Sequence, residues 1–263
     1  MNIFSLLFME ILYRPIFNIL VIFLAIFGGN LGIAIILLTL TVRFLMVKQT
    51  LMGNDMQKGM ADLQPKLQEL QEKHKDDPKK LSAETMKLFK TSGKGPLKGC
   101  LMLLIQIPVF LGLYYVIRKI SFDQIPSTWL YSFFNGFGVH YLDPKNISHS
   151  FLGMNLLATH NVWLTVIASI FTYLQTKLTT IAKPATPTIP GQKIPDMGKM
   201  MGFMNIFMVI MIGSFVWSMN AGVGLYIVTT TLFSVCQYAY QYRALLKIKR
   251  LEFINKGQGI VIK

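Results

Sequence analysis

The sequence predicts an all-α integral membrane protein with five transmembrane helices, and three features lead to this prediction. Of its 263 residues, 52% are hydrophobic and only 14% are charged. The apolar residues are bunched into blocks and are not spread along amphipathic elements, which is typical of proteins that enter a bilayer. Lys and Arg exceed Asp and Glu by 26 to 12, and in a membrane protein such an excess belongs to the cytoplasmic loops.

Five apolar runs match or approach the length of about 17–25 residues that a helix needs to cross the hydrocarbon core. They occupy residues 31–47, 99–117, 160–176, 200–219 and 221–240. The third run is mildly polar. Little more than Asn220 separates the last two runs, so we expect them to form a tight antiparallel hairpin.

A sixth apolar block lies near the N-terminus, at residues 16–27. As a helix it would reach only about 18 Å, which is too short for a crossing, and extending it upstream includes Glu10, Arg14 and Pro15. We therefore expect residues 1–29 to form an N-terminal interfacial amphipathic helix. A short transmembrane helix or an uncleaved signal anchor is the alternative.

The basic residues between the runs predict the orientation of the chain. Residues 48–98 carry eleven Lys and Arg, 177–199 carry four and 243–263 carry six, whereas the connections on the other side carry four in all. Because Lys and Arg are enriched in cytoplasmic loops, we expect the N-terminus outside and the C-terminus in the cytoplasm. The five-span core then covers residues 30–250, and a short basic cytoplasmic tail follows at 251–263.

The long basic connection contains a predicted helical hairpin at residues 52–95. Asp77 and Pro78 supply an N-cap and a first helical position for its second helix. In its first helix, five apolar residues follow a 4-3-4-3 spacing, which places them on one narrow face: Met56, Met60, Leu63, Leu67 and Leu70. We expect two antiparallel helices on the cytoplasmic surface, and a solvated charged loop is the alternative.

The first run lies in the stretch LGIAIILLTLTVRFLMVKQT, residues 31–50, and carries a charge at Arg43. A charged side chain at the bilayer centre costs at least about 2.5–3.5 kcal/mol, and arginine cannot avoid that cost by losing its proton. All 12 acidic residues lie outside the five runs. We therefore expect the charge to be met by water, lipid phosphate, uncharged polar groups or a visiting substrate. Because Arg43 lies only ~6 Å inside the end of its run, snorkelling to the headgroups is the alternative.

Uncharged polar residues on other runs are candidates to share a hydrated recess with Arg43. Thr39 lies four residues earlier and thus on the same helical face, while Gln106 lies in the second run and Gln175 in the third. The fifth run adds Tyr226, Thr229, Thr230, Ser234 and Gln237. Each residue alone favours an interhelical hydrogen bond, but together with Arg43 they predict a wet cavity open to the cytoplasm.

The sequence gives no support to an enzymatic function, a cofactor or a metal. Cys100 and Cys236 lie in apolar segments without disulfide or ligand spacing, as small buried apolar residues do. The histidines are scattered without metal-ligand spacing, at His74, His140, His149 and His160. No nucleophile or phosphate-binding loop is recognisable.

Four stretches of the chain carry a further signal. They are NLGIAIILLTLTVRFLMVKQT, DLQPKLQELQEKHKDDPKKLSAETMKLFK, GPLKGCLMLLIQIPVFLGLYYVI and NAGVGLYIVTTTLFSVCQYAYQY. In order and spacing they resemble the core of the YidC/Oxa/Alb membrane protein insertases, over roughly residues 10–245. The chain is expected to be the short, five-span bacterial YidC type, without the large periplasmic domain and additional first crossing of Gram-negative members.

The resemblance implies five transmembrane helices around a hydrophilic groove that is open to the cytoplasm and the lipid and closed outside. Arg43 matches the groove arginine of the family, Thr39 its neighbouring threonine, and Tyr226 the tyrosine of the GLxLY motif in the last helix. The cytoplasmic hairpin and the interfacial helix also have counterparts in the family. Asn220 stands where the family usually has proline, and Ile227 where an aromatic residue often follows, so the last hairpin departs from the pattern.

The function that the resemblance implies is insertion and folding assistance for integral membrane proteins, without chemistry. The residues expected to line the groove are Arg43, Thr39, Gln106, Gln175, Tyr226 and Thr230. The expected partners are nascent membrane proteins and the lipid bilayer, with the ribosome and the general secretion channel as further candidates and no specific nucleic acid. The protein is expected to act as a monomer in the bacterial plasma membrane. An anion transporter and a structural assembly chaperone are the alternatives, although the sequence has no internal repeats or charged gates that would indicate a transporter.

Overall fold

The computed structural model describes residues 9–48, 51, 63–74, 77–92, 110–112, 114–119, 129–181, 197–243 and 247. The chain divides into two compact units, Met1–Met154 and Asn155–Lys263. The described part is mostly helical, and its sheet is a small hairpin of β1 (Ser150–Phe151) and β2 (Met154–Asn155). The mostly helical architecture agrees with the predicted all-α class.

The first unit begins with one continuous helical stretch. A π-helical turn, Met9–Tyr13, leads into α1 (Arg14–Ile26). Glu10 and Arg14 form an ion pair of 2.6 Å one turn apart. The whole helical stretch, Met9–Ile26, is long and apolar enough to cross a membrane. It reaches this length because it extends further upstream than the apolar block at 16–27. Its interfacial position stays a prediction, with a crossing as the alternative.

A glycine turn connects α1 to α2 (Leu31–Leu45). Gly29 has a φ angle of +80°, a conformation that glycine adopts without strain. A Cβ on Gly29 would lie 2.6 Å from the carbonyl oxygen of Asn146, so glycine also permits this close approach. Asn30 caps α2, because its Oδ1 accepts a hydrogen bond of 3.1 Å from the Ile33 N–H, as N-cap asparagines do.

Two amphipathic helices of the predicted cytoplasmic hairpin are described, α3 (Gln64–Lys73) and α4 (Pro78–Ser92), and they contact each other. Asp77 Oδ1 accepts a hydrogen bond of 3.1 Å from the Lys80 N–H, which is the predicted N-cap interaction of α4. Residues 52–62 of the hairpin lie outside the described residues. The antiparallel arrangement of the two helices stays a prediction.

Asn18 joins α1 to the segment that begins at Trp129. Its side chain is only 2% exposed. Nδ2 donates to the carbonyl oxygens of Arg14 and Trp129 at 2.7 and 2.9 Å, and Oδ1 accepts from the Tyr131 N–H at 2.8 Å. Three aromatic rings pack around Trp129, with centroids 5.9–6.5 Å from its ring: Tyr13, Phe17 and Tyr115. This buried amide therefore has partners for both its donor and its acceptor group.

Short helical turns connect this segment to β1. They are the 3₁₀ turn Ser132–Phe134, α5 (Asn135–Gly138), and the 3₁₀ turns Val139–Leu142 and Pro144–Asn146. The Leu31 N–H donates to Ser148 O at 3.1 Å, and the Ser148 N–H donates to Gly29 O at 2.9 Å. A Cβ on Gly32 would overlap the ring of Phe151. The loop thus packs closely against the first turn of α2.

The described residues of the second unit form three long helices, α6 (Val162–Ile181), α7 (Met197–Ser218) and α8 (Ala221–Gln241). Helix α6 packs against both α7 and α8. A Cβ on Gly224 of α8 would lie 3.3 Å from side-chain atoms of Leu164 and Val216, on the other two helices. The missing side chain at this position therefore lets the three helices approach one another closely.

The connection between α7 and α8 consists of Met219 and Asn220. Asn220 caps α8, because its Oδ1 accepts a hydrogen bond of 3.0 Å from the Val223 N–H. The Ala221 N–H donates to Ala158 O at 2.8 Å, so the loop before α6 also binds this helix start. Asparagine thus acts as a helix cap at the position where the family usually has proline.

Among the described residues, two helices are long and apolar enough to cross a membrane, Met9–Ile26 and Ala221–Gln241. Leu31–Leu45 and Asn205–Ser218 are shorter apolar helices. Most of the predicted run 99–117 lies outside the described residues. The number of crossings therefore stays a prediction.

Candidate functional site

Arg43 lies in the last turn of α2 and is half-buried. At 1.5 Å per residue it lies about 18 Å from the start of the helix. The C-terminal end of a helix carries a partial negative charge, which favours a cation there. The next two side chains, Phe44 and Leu45, are 66% and 76% exposed, so this helix end combines a guanidinium group with large exposed apolar groups.

Thr39 lies one turn before Arg43 on the same helix and is only 1% exposed. Its hydroxyl donates a hydrogen bond of 2.6 Å to the carbonyl oxygen of Ile35. The sequence correctly places Thr39 on the helical face of Arg43, but it does not predict that the hydroxyl hydrogen is used within the helix. The oxygen of this hydroxyl can still accept a hydrogen bond.

Three further predicted residues lie in the second unit. Gln175 on α6 and Thr230 on α8 are half-buried, whereas Tyr226 on α8 is 4% exposed. Tyr226 and Thr230 are four residues apart and thus share one face of α8, and α8 packs against the helix that carries Gln175. Gln106 lies outside the described residues. Because Arg43 and Thr39 belong to the first unit, a groove shared by all six residues remains a proposal.

Five polar side chains of α8 fall into two classes. Thr229, Thr231 and Ser234 donate hydrogen bonds of 2.8–3.0 Å to backbone carbonyls one turn earlier in their own helix. Thr230 Oγ1 and Gln237 Nε2 are buried and have no hydrogen-bonding partner among the described residues. The sequence does not distinguish these five residues, whereas the structure separates them by the partner of each polar atom.

Thr172 on α6 is absent from the residues that the sequence predicts. It is 4% exposed, and its buried Oγ1 has no partner in the described part of the chain. It lies four residues after the fully buried Ala168 and three before Gln175, so it belongs to a packed helical face. That spacing could have predicted a buried position for Thr172. However, helical threonines commonly bond to their own backbone, so the sequence alone does not reveal that this hydroxyl is unsatisfied.

Large apolar side chains cover the exposed side of α7. Five of them are 41–70% exposed, namely Phe203, Ile206, Phe207, Ile210 and Trp217. A patch of this kind is unusual on a soluble monomer, but it suits a helix in contact with lipid.

The candidate residues of the two units carry a guanidinium, hydroxyls, carboxamides and a phenol, which are groups for hydrogen bonding and charge attraction. In the described residues no group of three or more His, Cys, Asp or Glu side chains could hold a metal ion.

Comparison with known proteins assigns the chain to a family. A family profile described as 60Kd inner membrane protein matches residues 22–248, which is most of the chain. The chain belongs to the YidC/Oxa family. A protein of Oceanobacillus iheyensis named membrane protein insertase YidC is 33% identical over 216 residues, which cover 81% of this chain and 74% of that protein. A protein of the same name from Prosthecochloris aestuarii is 31% identical over 234 residues, covering 89% of this chain but only 36% of that protein.

The YidC resemblance predicted from four sequence stretches is thus confirmed, and the family indicates the bacterial inner membrane as the location. A shorter match to the YidC of Helicobacter pylori strain J99 reaches 46% identity over 104 residues, which are 40% of this chain and 19% of that protein. Matches over 89% of this chain cover only 35–36% of several YidC relatives, so the chain spans well under half of their length. The orientation of its termini stays a prediction.

Proposed function

We propose that this YidC-family protein inserts integral membrane proteins into the bilayer and assists their folding. The observation that carries the proposal is the family match over residues 22–248, supported by relatives named membrane protein insertase. The physical task is to move polar groups through a medium that offers them no hydrogen-bonding partners. Polar side chains on otherwise apolar helices suit this task.

In the proposed mechanism, Arg43 attracts an acidic or polar segment of the incoming protein into a hydrophilic groove open to the cytoplasm. Its guanidinium keeps the proton under all physiological conditions, so the attraction does not depend on pH through this group. A hydrated surrounding raises the effective dielectric constant and keeps the attraction weak enough for release. The other residues proposed to contact the segment are Thr39, Gln106, Gln175, Tyr226 and Thr230.

The apolar part of the substrate then moves sideways into the lipid. Removal of apolar surface from water contributes roughly 25 cal/mol per Å², so a complete apolar span can offset the cost of carrying its polar end. Helix α7 offers an apolar surface on this route. Met208 and Met211 on it are 38% and 45% exposed, and flexible thioether side chains adapt to different helices.

The remaining features of the proposal concern topology and partners. The five-span core has its N-terminus outside and its C-terminus in the cytoplasm, because Lys and Arg are concentrated in the connections assigned to the cytoplasm. The hairpin at residues 52–95 and the tail at 251–263 then face the cytoplasm, where substrates arrive. The protein works as a monomer on nascent membrane proteins, with the ribosome and the general secretion channel as candidate partners.

The role of Arg43 is tested by complementation in cells depleted of their own insertase. Arg43→Lys keeps the charge, so we expect it to support insertion of substrates with acidic tails. Arg43→Ala is expected to reduce that insertion about tenfold or more, because hydrogen bonds to charged groups contribute about 1.5–3 kcal/mol. Protease protection of the translocated tail measures insertion, and immunoblotting checks that both variants accumulate equally. Equal insertion by the two variants would refute the attraction mechanism.

A further inference from the structure

An open apolar groove lies between α6 and α7 of the second unit. Its volume is about 310 Å³, which falls within the range of about 300–1,000 Å³ that small-molecule sites occupy. Three of the isoleucines that line it are 52–62% exposed, namely Ile170 on α6 and Ile206 and Ile210 on α7. The groove therefore opens to the surroundings of the protein, which in a membrane are lipid chains.

The two helices approach each other closely at one end of the groove. A Cβ on Gly213 of α7 would lie 2.7 Å from Ser169 Oγ on α6, and Ser169 also lines the groove. Counting 1.5 Å per residue from this contact, Leu174 lies about 8 Å and Ile206 about 10 Å toward the other end. The groove thus covers about a third of the ~30 Å hydrocarbon core. This length suits part of a flexible hydrocarbon chain better than a complete spanning helix.

A cation lies at the other end of the groove. Lys177 follows Leu174 by three residues, about 12 Å from the level of Ser169. Its Nζ lies 5.8 Å from the ring centroid of Tyr173, which is the distance of a cation–π contact, and Tyr173 itself lines the groove. The contact holds the ammonium group beside an otherwise apolar cavity.

The helices of the second unit offer Lys177 no carboxylate. None of α6, α7 and α8 contains an acidic residue, and the whole unit has two, Asp196 and Glu252, against ten Lys and Arg. Lys177 is the first residue after the predicted run 160–176, at the end that the distribution of Lys and Arg assigns to the cytoplasm. The anions available to a lysine at that depth are the headgroup phosphates of the inner leaflet.

The groove is separate from the apolar surface proposed for the substrate. At 3.6 residues per turn, Ile206, Val209 and Ile210 share one side of α7, whereas Met208 and Met211 lie on the opposite side. A ligand in the groove therefore does not occupy the route assigned to the inserting segment.

We propose that the groove between α6 and α7 binds one acyl chain of an anionic phospholipid, whose phosphate lies against Lys177. An apolar cavity with a cation at one end matches a molecule that joins a hydrocarbon chain to a negative charge. The lipid comes from the cytoplasmic leaflet, because Lys177 lies at that end of α6. The inference goes beyond the proposed insertase function and does not rest on it.

The test measures lipid binding to the purified full-length protein and its variants in detergent. Each protein is titrated with phosphatidylglycerol, which is anionic, and with phosphatidylcholine of the same chains, which has no net charge. Native mass spectrometry counts the lipids bound to each chain. Lys177→Gln removes the cation of the groove. Its matched control, Arg243→Gln, removes a cation that lies 4.7 Å from the Tyr240 ring centroid at the end of α8.

A second pair of variants tests the apolar wall. Ile210→Trp fills the groove, and Met211→Trp places the same ring on the opposite side of α7. Both native side chains are exposed, at 62% and 45%, so both variants are expected to fold. Equal Tm values of the two variants check this.

We expect the unmodified protein to bind one phosphatidylglycerol about fivefold more tightly than phosphatidylcholine, as one Lys near an anionic headgroup allows. Lys177→Gln should lose this preference and leave the binding of phosphatidylcholine unchanged, whereas Arg243→Gln should keep it. Ile210→Trp should weaken the binding of both lipids about tenfold relative to Met211→Trp, because contact with roughly two methylene groups is lost.

Four results would overturn the inference. Equal preference for phosphatidylglycerol in Lys177→Gln and Arg243→Gln would remove the headgroup contact, and equal lipid binding by Ile210→Trp and Met211→Trp would remove the chain contact. Displacement of the lipid by glycerol phosphate, which has no chains, would indicate a simple anion site. A dimer that dissociates in Ile210→Trp would assign the groove to a second copy of the chain.

Discussion

Threonines within apolar helices differ in what their hydroxyls bind. Thr39 and Thr229 donate to carbonyls of their own helices at 2.6 and 2.8 Å, whereas Thr172 and Thr230 do not. A helical threonine divides between two rotamers of similar energy, and contacts with neighbouring helices decide between them. The helical face of each threonine can be predicted from its spacing, but its hydrogen-bonding partner depends on packing that the sequence does not specify.

Asn18 provides a test of the structure at the residue scale. Its side chain makes three hydrogen bonds of 2.7–2.9 Å in a buried environment. Asn18→Ala removes all three and leaves the backbone groups of Trp129 and Tyr131 unsatisfied, so we expect it to lower the free energy of unfolding by about 2–4 kcal/mol. Thermal unfolding of the purified protein in detergent measures the effect as a lower Tm.

The matched control for this change is Asn155→Ala. Asn155 is exposed, and its Oδ1 accepts one hydrogen bond of 2.9 Å from the Leu157 N–H. We expect Asn155→Ala to lower the free energy of unfolding by less than about 1 kcal/mol. A Tm for Asn18→Ala as high as that of the control would contradict the role of Asn18 in joining α1 to the following segment.

At the scale of elements, the starts of α2, α6 and α8 are predicted more closely than their ends, whereas in α7 the end is predicted more closely. Helix α8 begins at Ala221, as the predicted run does, because Asn220 is an effective cap and an apolar run follows it. Helix α6 continues to Ile181, beyond the predicted end at residue 176. Hydropathy marks where a helix leaves the apolar region, and polar residues such as Thr176 and Lys177 remain compatible with further helical turns.

The two asparagine caps allow a paired test at this scale. Asn220 has a φ angle of −67°, close to the value that proline requires, so Asn220→Pro should lose only the cap, at about 1 kcal/mol. Asn30 has a φ angle of −73°, but its N–H also donates to Phe27 O at 3.2 Å. Asn30→Pro therefore loses the cap and a backbone hydrogen bond, and should lower the Tm more.

Both proline variants are compared by thermal unfolding and by insertion of the same single-span substrate protein into lipid vesicles. We expect Asn220→Pro to retain insertion close to that of the unmodified protein. A lower Tm for Asn220→Pro than for Asn30→Pro would mean that the start of α8 depends on asparagine for more than its cap.

At the scale of the whole molecule, composition and motifs are sufficient to predict a helical protein of the YidC/Oxa family. The family match over residues 22–248 confirms this prediction. The motifs around Arg43 and Tyr226 are informative because their order and spacing along the chain are specific. The predicted number of crossings and the predicted orientation depend on hydropathy and on the distribution of Lys and Arg. These properties indicate the environment that a segment prefers, but they do not indicate the helices against which it packs. Thr172 is missed for the same reason, because the burial of its hydroxyl depends on packing between helices.

Reconstitution tests the proposed insertase function most directly. The purified chain is placed in lipid vesicles that contain no other protein, and a single-span substrate with an acidic tail is added. Protease then measures how much of the tail is protected inside the vesicles. We expect protection that increases with the amount of reconstituted protein and falls when the Arg43→Ala variant replaces the unmodified protein. Protection no greater than in protein-free vesicles, with the substrate merely bound to the protein, would contradict the insertase function and indicate a scaffold.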